Sequence, residues 1–143
     1  MADTAAKKLT LRIITPEEIK VDKSADMIIM RCTTGDLGVL PGHEARTCVL
    51  ADGDRLRIFE NGAEHQMFVY GGLVEIKDDV LSVLTVAAEN PEEIDQKQAR
   101  EARERAENRL RDSVDTLEIK KIQARIRREQ VRIEVSAYSV IGK

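Results

Sequence analysis

At 143 residues the chain has room for one domain, or a small domain with an appendage, and for one real core. Charged residues make up 34% of it, yet the net charge is only −3, which argues against a nucleic-acid binder and against a strongly acidic tail. Aromatic residues are 3% and tryptophan is absent, so stacking platforms for bases or sugars are not expected. Cys32 and Cys48 carry no short pairing motif and sit in apolar runs, which predicts buried free thiols. No apolar leader precedes Lys8, and no run nears the ~20 apolar residues of a membrane span. A cytoplasmic protein, at most peripheral to a membrane, is expected.

In chain order, the first half reads as short strands. Leu9, Leu11 and Ile13 alternate with Thr10 and Arg12, a period of two. Pro16 ends that run. Ile19 and Val21 suggest a second strand, and Met27 to Cys32 a third. Gly35-Asp36-Leu37-Gly38-Val39-Leu40-Pro41-Gly42-His43 cannot be helical, because glycine and proline crowd it. It predicts a turn, a short apolar strand over Leu37 to Leu40, and a second turn. Ala45 to Leu50 follows as a strand. Asp52-Gly53 marks a turn, and Asn61-Gly62 a two-residue hairpin between Leu56–Ile58 and Met67–Tyr70. Gly71-Gly72 permits a bend or bulge before Leu73 to Lys77, and Asp78-Asp79 turns the chain into Val80 to Ala88. That last strand is apolar on both faces, with Val80, Leu84 and Val86 on one and Leu81 and Val83 on the other. Its outer face needs a cover, and the second half of the chain is expected to supply it.

From Glu89 the period changes. Asn90-Pro91-Glu92-Glu93 predicts a helix start, with Asn90 capping and Glu93 closing a capping box. Ala99, Ala102, Ala106 and Leu110 make a narrow helical stripe. Asp112 to Asp115 interrupts it, and Asp115 with Glu118 suggests a second capping box. Ile119, Ile122, Ile126 and Ile133 form a new stripe, widened by Leu117, Ala124 and Val131. The expected fold is therefore α+β: an N-terminal all-β sandwich over 1–88, then an antiparallel two-helix hairpin over 89–143. An alanine stripe buries little area, so the hairpin should depend on docking to the sandwich or to a partner.

No residue set predicts catalysis. His43 and His65 are the only histidines, neither sits at metal-ligand spacing, and the nucleotide and nucleophile motifs are missing. Neither a catalytic nor a metal site is expected. The helical arginines (Arg100, Arg103, Arg105, Arg109 and Arg111, then Arg125, Arg127, Arg128 and Arg132) interleave with acids as a solvated face would. Arg128 and Arg132, one turn apart, are spaced to grip a phosphate together.

Gly-x-Leu-Gly-Val-Leu-Pro-Gly-His resembles the signature of the epsilon subunit of F-type ATP synthases. Tyr70-Gly71-Gly72-Leu73-Val74-Glu75-Ile76 and Val83 to Glu89 resemble two further segments of that family, in the same order. The resemblance implies a non-catalytic rotor subunit of the central stalk. Its sandwich would bind the gamma subunit and the membrane ring of c subunits, with Asp36, Leu37, Gly38 and His43 at the ring and gamma contacts. Its hairpin would fold on the sandwich, or extend along gamma to the catalytic alpha and beta subunits and inhibit hydrolysis. The location implied is the cytoplasmic face of the plasma (inner) membrane. Some members hold a regulatory ATP, which here implies Glu89, Ile94, Asp95, Ala99, Arg128 and Arg132. The motif arginine of those members is Gln98 in this chain. Glu44-Ala45-Arg46 likewise replaces the family's usual Ala-Pro-Leu. Two other readings stay open: a stand-alone ATP-sensing module, and an adaptor that dimerises through its helices.

Overall fold

The computed structural model describes residues 7–138; the outer ends of both predicted domains, 1–6 and 139–143, lie outside the described residues. Ten strands precede two helices: β1 (Leu9–Ile14), β2 (Ile19–Ala25), β3 (Met27–Cys32), β4 (Gly35–Val39), β5 (Arg46–Leu50), β6 (Asp54–Glu60), β7 (Ala63–Val69), β8 (Gly72–Lys77), β9 (Val80–Leu84), β10 (Ala88–Glu89), α1 (Gln96–Asp112) and α2 (Thr116–Ala137). The hydrogen-bonded order is β10-β7-β6-β3-β5-β8-β9-β1-β2, with β4 paired to β3.

The two layers of the sandwich meet at β3. Met27 to Ile29 pair with β6, and Cys32 then pairs with Leu50 of β5, so one strand serves both layers. Alternation places Leu9, Leu11, Ile13, Ile28, Met30, Leu56, Ile58, Val74, Ile76, Leu81 and Val83 in one buried core. The pairing of β1 with β9 is parallel, whereas the other pairings are antiparallel.

Two hairpins close through positive φ at both turn residues. Asn61 (φ 53°) and Gly62 (φ 81°) join β6 to β7 as their sequence predicts. Asp78 (φ 51°) and Asp79 (φ 61°) do the same between β8 and β9, where the short polar side chain tolerates the left-handed region.

Gly38 lies inside β4, within the strand expected there, and a Cβ on it would meet only Ile29 Cγ1 at 3.9 Å. The positive-φ positions of the stretch are Gly35, where β4 begins, and Gly42, in the turn after it. Other expectations are corrected. The strand expected over Val80 to Ala88 breaks after Leu84, and its tail forms β10 against β7. Leu81 and Val83 face the sandwich core, while Leu84 and Val86 stay exposed. The helices therefore do not cover β9: α2 packs on β6, β7 and the turn at Pro91–Glu93. Proximity in sequence did not decide that docking; the crossing of β10 to the other layer did.

The Glu93 half of the expected capping box forms, its carboxylate accepting from the Asn90 amide at 2.8 Å, while the Glu93 amide donates to the Asn90 carbonyl, and together they close a 3-10 turn over Pro91–Glu93. The α-helix starts later, at Gln96, where Asp95 accepts a 3.0 Å hydrogen bond from the Gln98 amide. Asp115 caps α2 through the Leu117 amide at 2.9 Å. Glu118 closes no box; its carboxylate accepts from Arg109 at 3.1 Å and ties the two helices at the hairpin tip. Ala99, Ala106, Ile122, Val131 and Ile133 are buried, but Leu117 and Ala124 face outward and do not widen the stripe.

Candidate functional site: a charged clasp between sandwich and hairpin

Helix α2 crosses the sandwich over an apolar base of Phe68, Ile94, Val131 and Val135, with Tyr70 packed against it. The Phe68 and Tyr70 rings meet edge to face at 4.9 Å. The turn before β6 passes so close beneath that a Cβ on Gly53 (φ +74°) would sit 2.6 Å from Arg128 Cγ and 3.2 Å from Phe68 Cζ.

Above this base lies a charged network. Pairing of β10 with β7 sets Glu89 opposite Phe68. Arg132 donates from Nε and Nη2 to the two carboxylate oxygens of Glu89, each at 3.1 Å. Its Nη1 donates to Glu129 Oε1 at 2.8 Å and to Gln98 Oε1 at 3.0 Å. The Tyr70 hydroxyl donates to Glu89 Oε1 at 2.7 Å. Arg132 is 7% exposed and Glu129 4%, so both charges are held where water does little to screen them. Burial opposes the charge on Arg132, but its hydrogen bonds to Glu89 and Glu129 outweigh that and raise its pKa. Burial, then the bond to Glu89, raises the Tyr70 phenol and keeps it a donor.

Arg128 stands one turn away. Arg128 and Arg132 each place their guanidinium carbon 6.0 Å from the Tyr70 ring centroid. Arg128 Nε lies 3.5 Å from Glu129 Oε2 and, among the described residues, is buried without a hydrogen-bond partner. Counting Arg128 and Arg132 against Glu89 and Glu129, the network is neutral. Outer contacts extend it: Arg127 donates to Asp54 Oδ2 at 2.6 Å, Arg55 pairs with Glu134, and Lys20 with Glu93 at 2.7 Å.

Of the residues named for the ATP site, Glu89, Arg128 and Arg132 come together here. Ile94 belongs to the apolar base, Ala99 is fully buried, and Asp95 serves as the helix cap. Gln98 takes a direct part by accepting from Arg132. Sequence reasoning did not assign Tyr70 or Glu129. Glu129 had one legible signal, its i,i+3 spacing to Arg132. Tyr70 had none, because its partner arrives from β10.

The residues named for ring and gamma contact do not form one cluster. Asp36 lies in β4 and accepts from Arg31 at 2.6 Å; Leu37 packs against the core. His43 lies beyond the other end of β4, its Nδ1 2.7 Å from the Glu44 carbonyl. The adjacent Gly42 amide donates to Asp79 Oδ1 at 2.6 Å, which ties that turn to the β8–β9 hairpin. Among the described residues there is no group of three or more His, Cys, Asp or Glu arranged to hold a metal, and no helix long and apolar enough to cross a membrane.

These features define a class of protein: a β-sandwich with a two-helix hairpin clasped to one of its sheets by a buried, charge-balanced network. Residues 8–91 match the family model described as ATP synthase, Delta/Epsilon chain, beta-sandwich domain, and residues 92–137 match the ATP synthase, Delta/Epsilon chain, long alpha-helix domain. The chain belongs to the ATP synthase delta/epsilon family, as an epsilon-type subunit. It is 33% identical over 130 residues to the ATP synthase epsilon chain of Bacillus velezensis, covering 91% of this chain and 98% of that one. It is 36% identical over 129 residues to the epsilon chain of Nitratidesulfovibrio vulgaris, covering 90% and 96%. In fold it is similar to a chain of the Euglena gracilis mitochondrial ATP synthase (OSCP/F1/c-ring, rotational state 1), with a TM-score of 0.76, 24% identity and coverage of 96% and 86%. A chain of the Tetrahymena thermophila mitochondrial ATP synthase central stalk and c-ring gives a TM-score of 0.60 at 18% identity, covering 95% and 100%.

Proposed function

We propose that this subunit works in the central stalk of the rotary enzyme as a non-catalytic coupling element whose hairpin regulates ATP hydrolysis. In this reading, 1–88 binds the gamma subunit and the ring of c subunits, with Asp36, Leu37, Gly38 and His43 at those contacts. The hairpin, 89–143, is the movable part, and the complex places the chain at the cytoplasmic face of the membrane. The observation that carries the reading is the clasp. Glu89 at the end of the sandwich grips Arg132 on α2 with two oxygens, which supports a network whose making and breaking governs docking of the hairpin. The tip of the hairpin supports a partner role. A groove of about 670 Å³ is lined by Arg105, Arg109, Lys121 and Arg125, with Asp115 and Glu118 as the acids, and suits an acidic segment of a catalytic subunit. The test is deletion of 90–143 in the reassembled enzyme. Gamma should still bind, and ATP hydrolysis should rise because the inhibitory arm is gone. Loss of gamma binding would overturn the division of labour; unchanged hydrolysis would overturn the regulatory role.

Regulatory ATP is a separable part of the proposal. Arg128 Nε is the donor left for an anion. Gln98 fills the place of the motif arginine and spends its carbonyl on Arg132. An arginine there would leave three guanidinium groups against two carboxylates, weakening the empty clasp and favouring a bound phosphate. Gln98→Arg is expected to bind ATP about ten- to a hundredfold more tightly than the natural chain, the worth of one charge-assisted hydrogen bond. Isothermal titration of both proteins measures it, and equal affinities would remove nucleotide from the model.

A further inference from the structure

Cys32 and Cys48 lie on β3 and β5, at the joint where the two layers of the sandwich meet. Cys32 is opposite Leu50, and Cys48 is two residues back along β5, so both side chains share one face of the pair. Their sulfurs are 3.3 Å apart, and both thiols are free. A disulfide needs a separation of about 2.0 Å, so closure requires the sulfurs to approach by about 1.3 Å. The two cysteines are diagonal neighbours across the β3–β5 pair, and their thiols are already in contact. The residues between them are 33–47, which hold all of β4, the Gly42 turn and His43.

We propose that Cys32 and Cys48 form a reversible disulfide that covalently closes the segment 33–47 onto the core of the sandwich. The order of events follows from exposure. Cys32 is buried, and burial followed by the hydrogen bond with Cys48 pushes its thiol up to about 12, so it is a poor first nucleophile. Cys48 is only half-buried, and solvent and reagent reach it first. The oxidant is a low-molecular-weight disulfide such as oxidised glutathione. The Cys48 thiolate attacks one of its sulfurs, the reagent's S–S bond breaks, and one reagent thiolate leaves. Cys32 gives its proton to solvent and attacks Cys48 Sγ, and the second reagent thiolate leaves as the protein disulfide forms. The protein thus loses two electrons and two protons, and the reagent is reduced to two thiols.

The experiment incubates the reduced full chain with oxidised glutathione, then reads intact mass, free thiols and a peptide map without reductant. The natural chain is expected to lose both free thiols, gain no glutathione, stay monomeric, and yield a Cys32–Cys48 cross-linked peptide that dithiothreitol opens. Amide exchange across Gly35–Val39 should slow on oxidation. Cys32→Ser should stop at the mixed disulfide and retain one glutathione on Cys48, while Cys48→Ser should leave Cys32 unmodified. Accumulation of glutathionylated natural chain without ring closure, or a disulfide between two chains, would overturn the proposal. The map of the natural chain decides the matter even if either variant folds poorly.

Discussion

Arg132→Ala is expected to release the hairpin from the sandwich. The guanidinium makes four hydrogen bonds to Glu89, Glu129 and Gln98. Its removal leaves Glu129, 4% exposed, and Glu89 with no opposing charge but that of Arg128, whose Nε is 3.5 Å from Glu129. Breaking a buried pair from one side typically costs about 3–5 kcal/mol, because the partner's charge remains desolvated. Docking free energies are small differences between large terms, so a cost of that size shifts the hairpin strongly toward the undocked state. The arginine-rich helices should then be cut by trypsin roughly a hundredfold faster or more, each ~1.4 kcal/mol being a factor of ten in the opened population. The sandwich should keep its own exchange protection. Arg132→Lys should fall between, since an ammonium keeps the charge but not the two-pronged fit to Glu89. Unchanged proteolysis of Arg132→Ala would mean that packing holds the hairpin and that the clasp does not govern its release.

Gly72→Ala should have the largest effect on the sandwich itself. At φ +124° this residue opens β8, and a Cβ would lie 2.0 Å from the Leu84 carbonyl oxygen and 3.1 Å from Thr85 Cα. Both are backbone atoms of the paired β9 edge and the turn after it, so no side-chain rotation relieves the clash. Overlap with a paired strand, added to a backbone region that only glycine occupies freely, should cost about 4 kcal/mol or more. Its neighbour provides the control. Gly71 (φ +73°) would bring a Cβ no nearer than 3.7 Å to any atom, so Gly71→Ala should carry only the left-handed backbone cost of about 1–2 kcal/mol. Urea unfolding of the three proteins separates these cases. Equal midpoints for the two variants would show that β8 and β9 can move apart there at little cost. Because β10 follows from the end of β9, Gly72→Ala should also loosen Glu89 and with it the clasp.

Local chemistry was enough to place most elements. Strict alternation in Leu9–Ile13 and Leu56–Ile58 identified core-facing strands, since a period of two has one buried face. Asn61-Gly62 specified its hairpin because both positions take positive φ at low cost. Asp115 and the alanine and isoleucine stripes defined a pair of helices whose short link forces them antiparallel. The family resemblance was legible too, because its motifs are runs of adjacent residues. What sequence could not supply was any choice between surfaces. Leu81 and Val83 looked like one face of a strand awaiting a helix, yet the curling of the sheet turned them into the core and left Leu84 and Val86 exposed. Glu93 reached back to the Asn90 amide as a capping box requires, but the chain then extended through Ile94 before Asp95 began the helix. The clasp lies wholly on this second side. Glu89 and Arg132 are 43 residues apart, and they meet because β10 leaves β9 to pair with β7 in the other layer. Side-chain alternation and capping are short-range and are written in neighbouring residues. The meeting of buried charges depends on how layers close, and only the tertiary structure decided that.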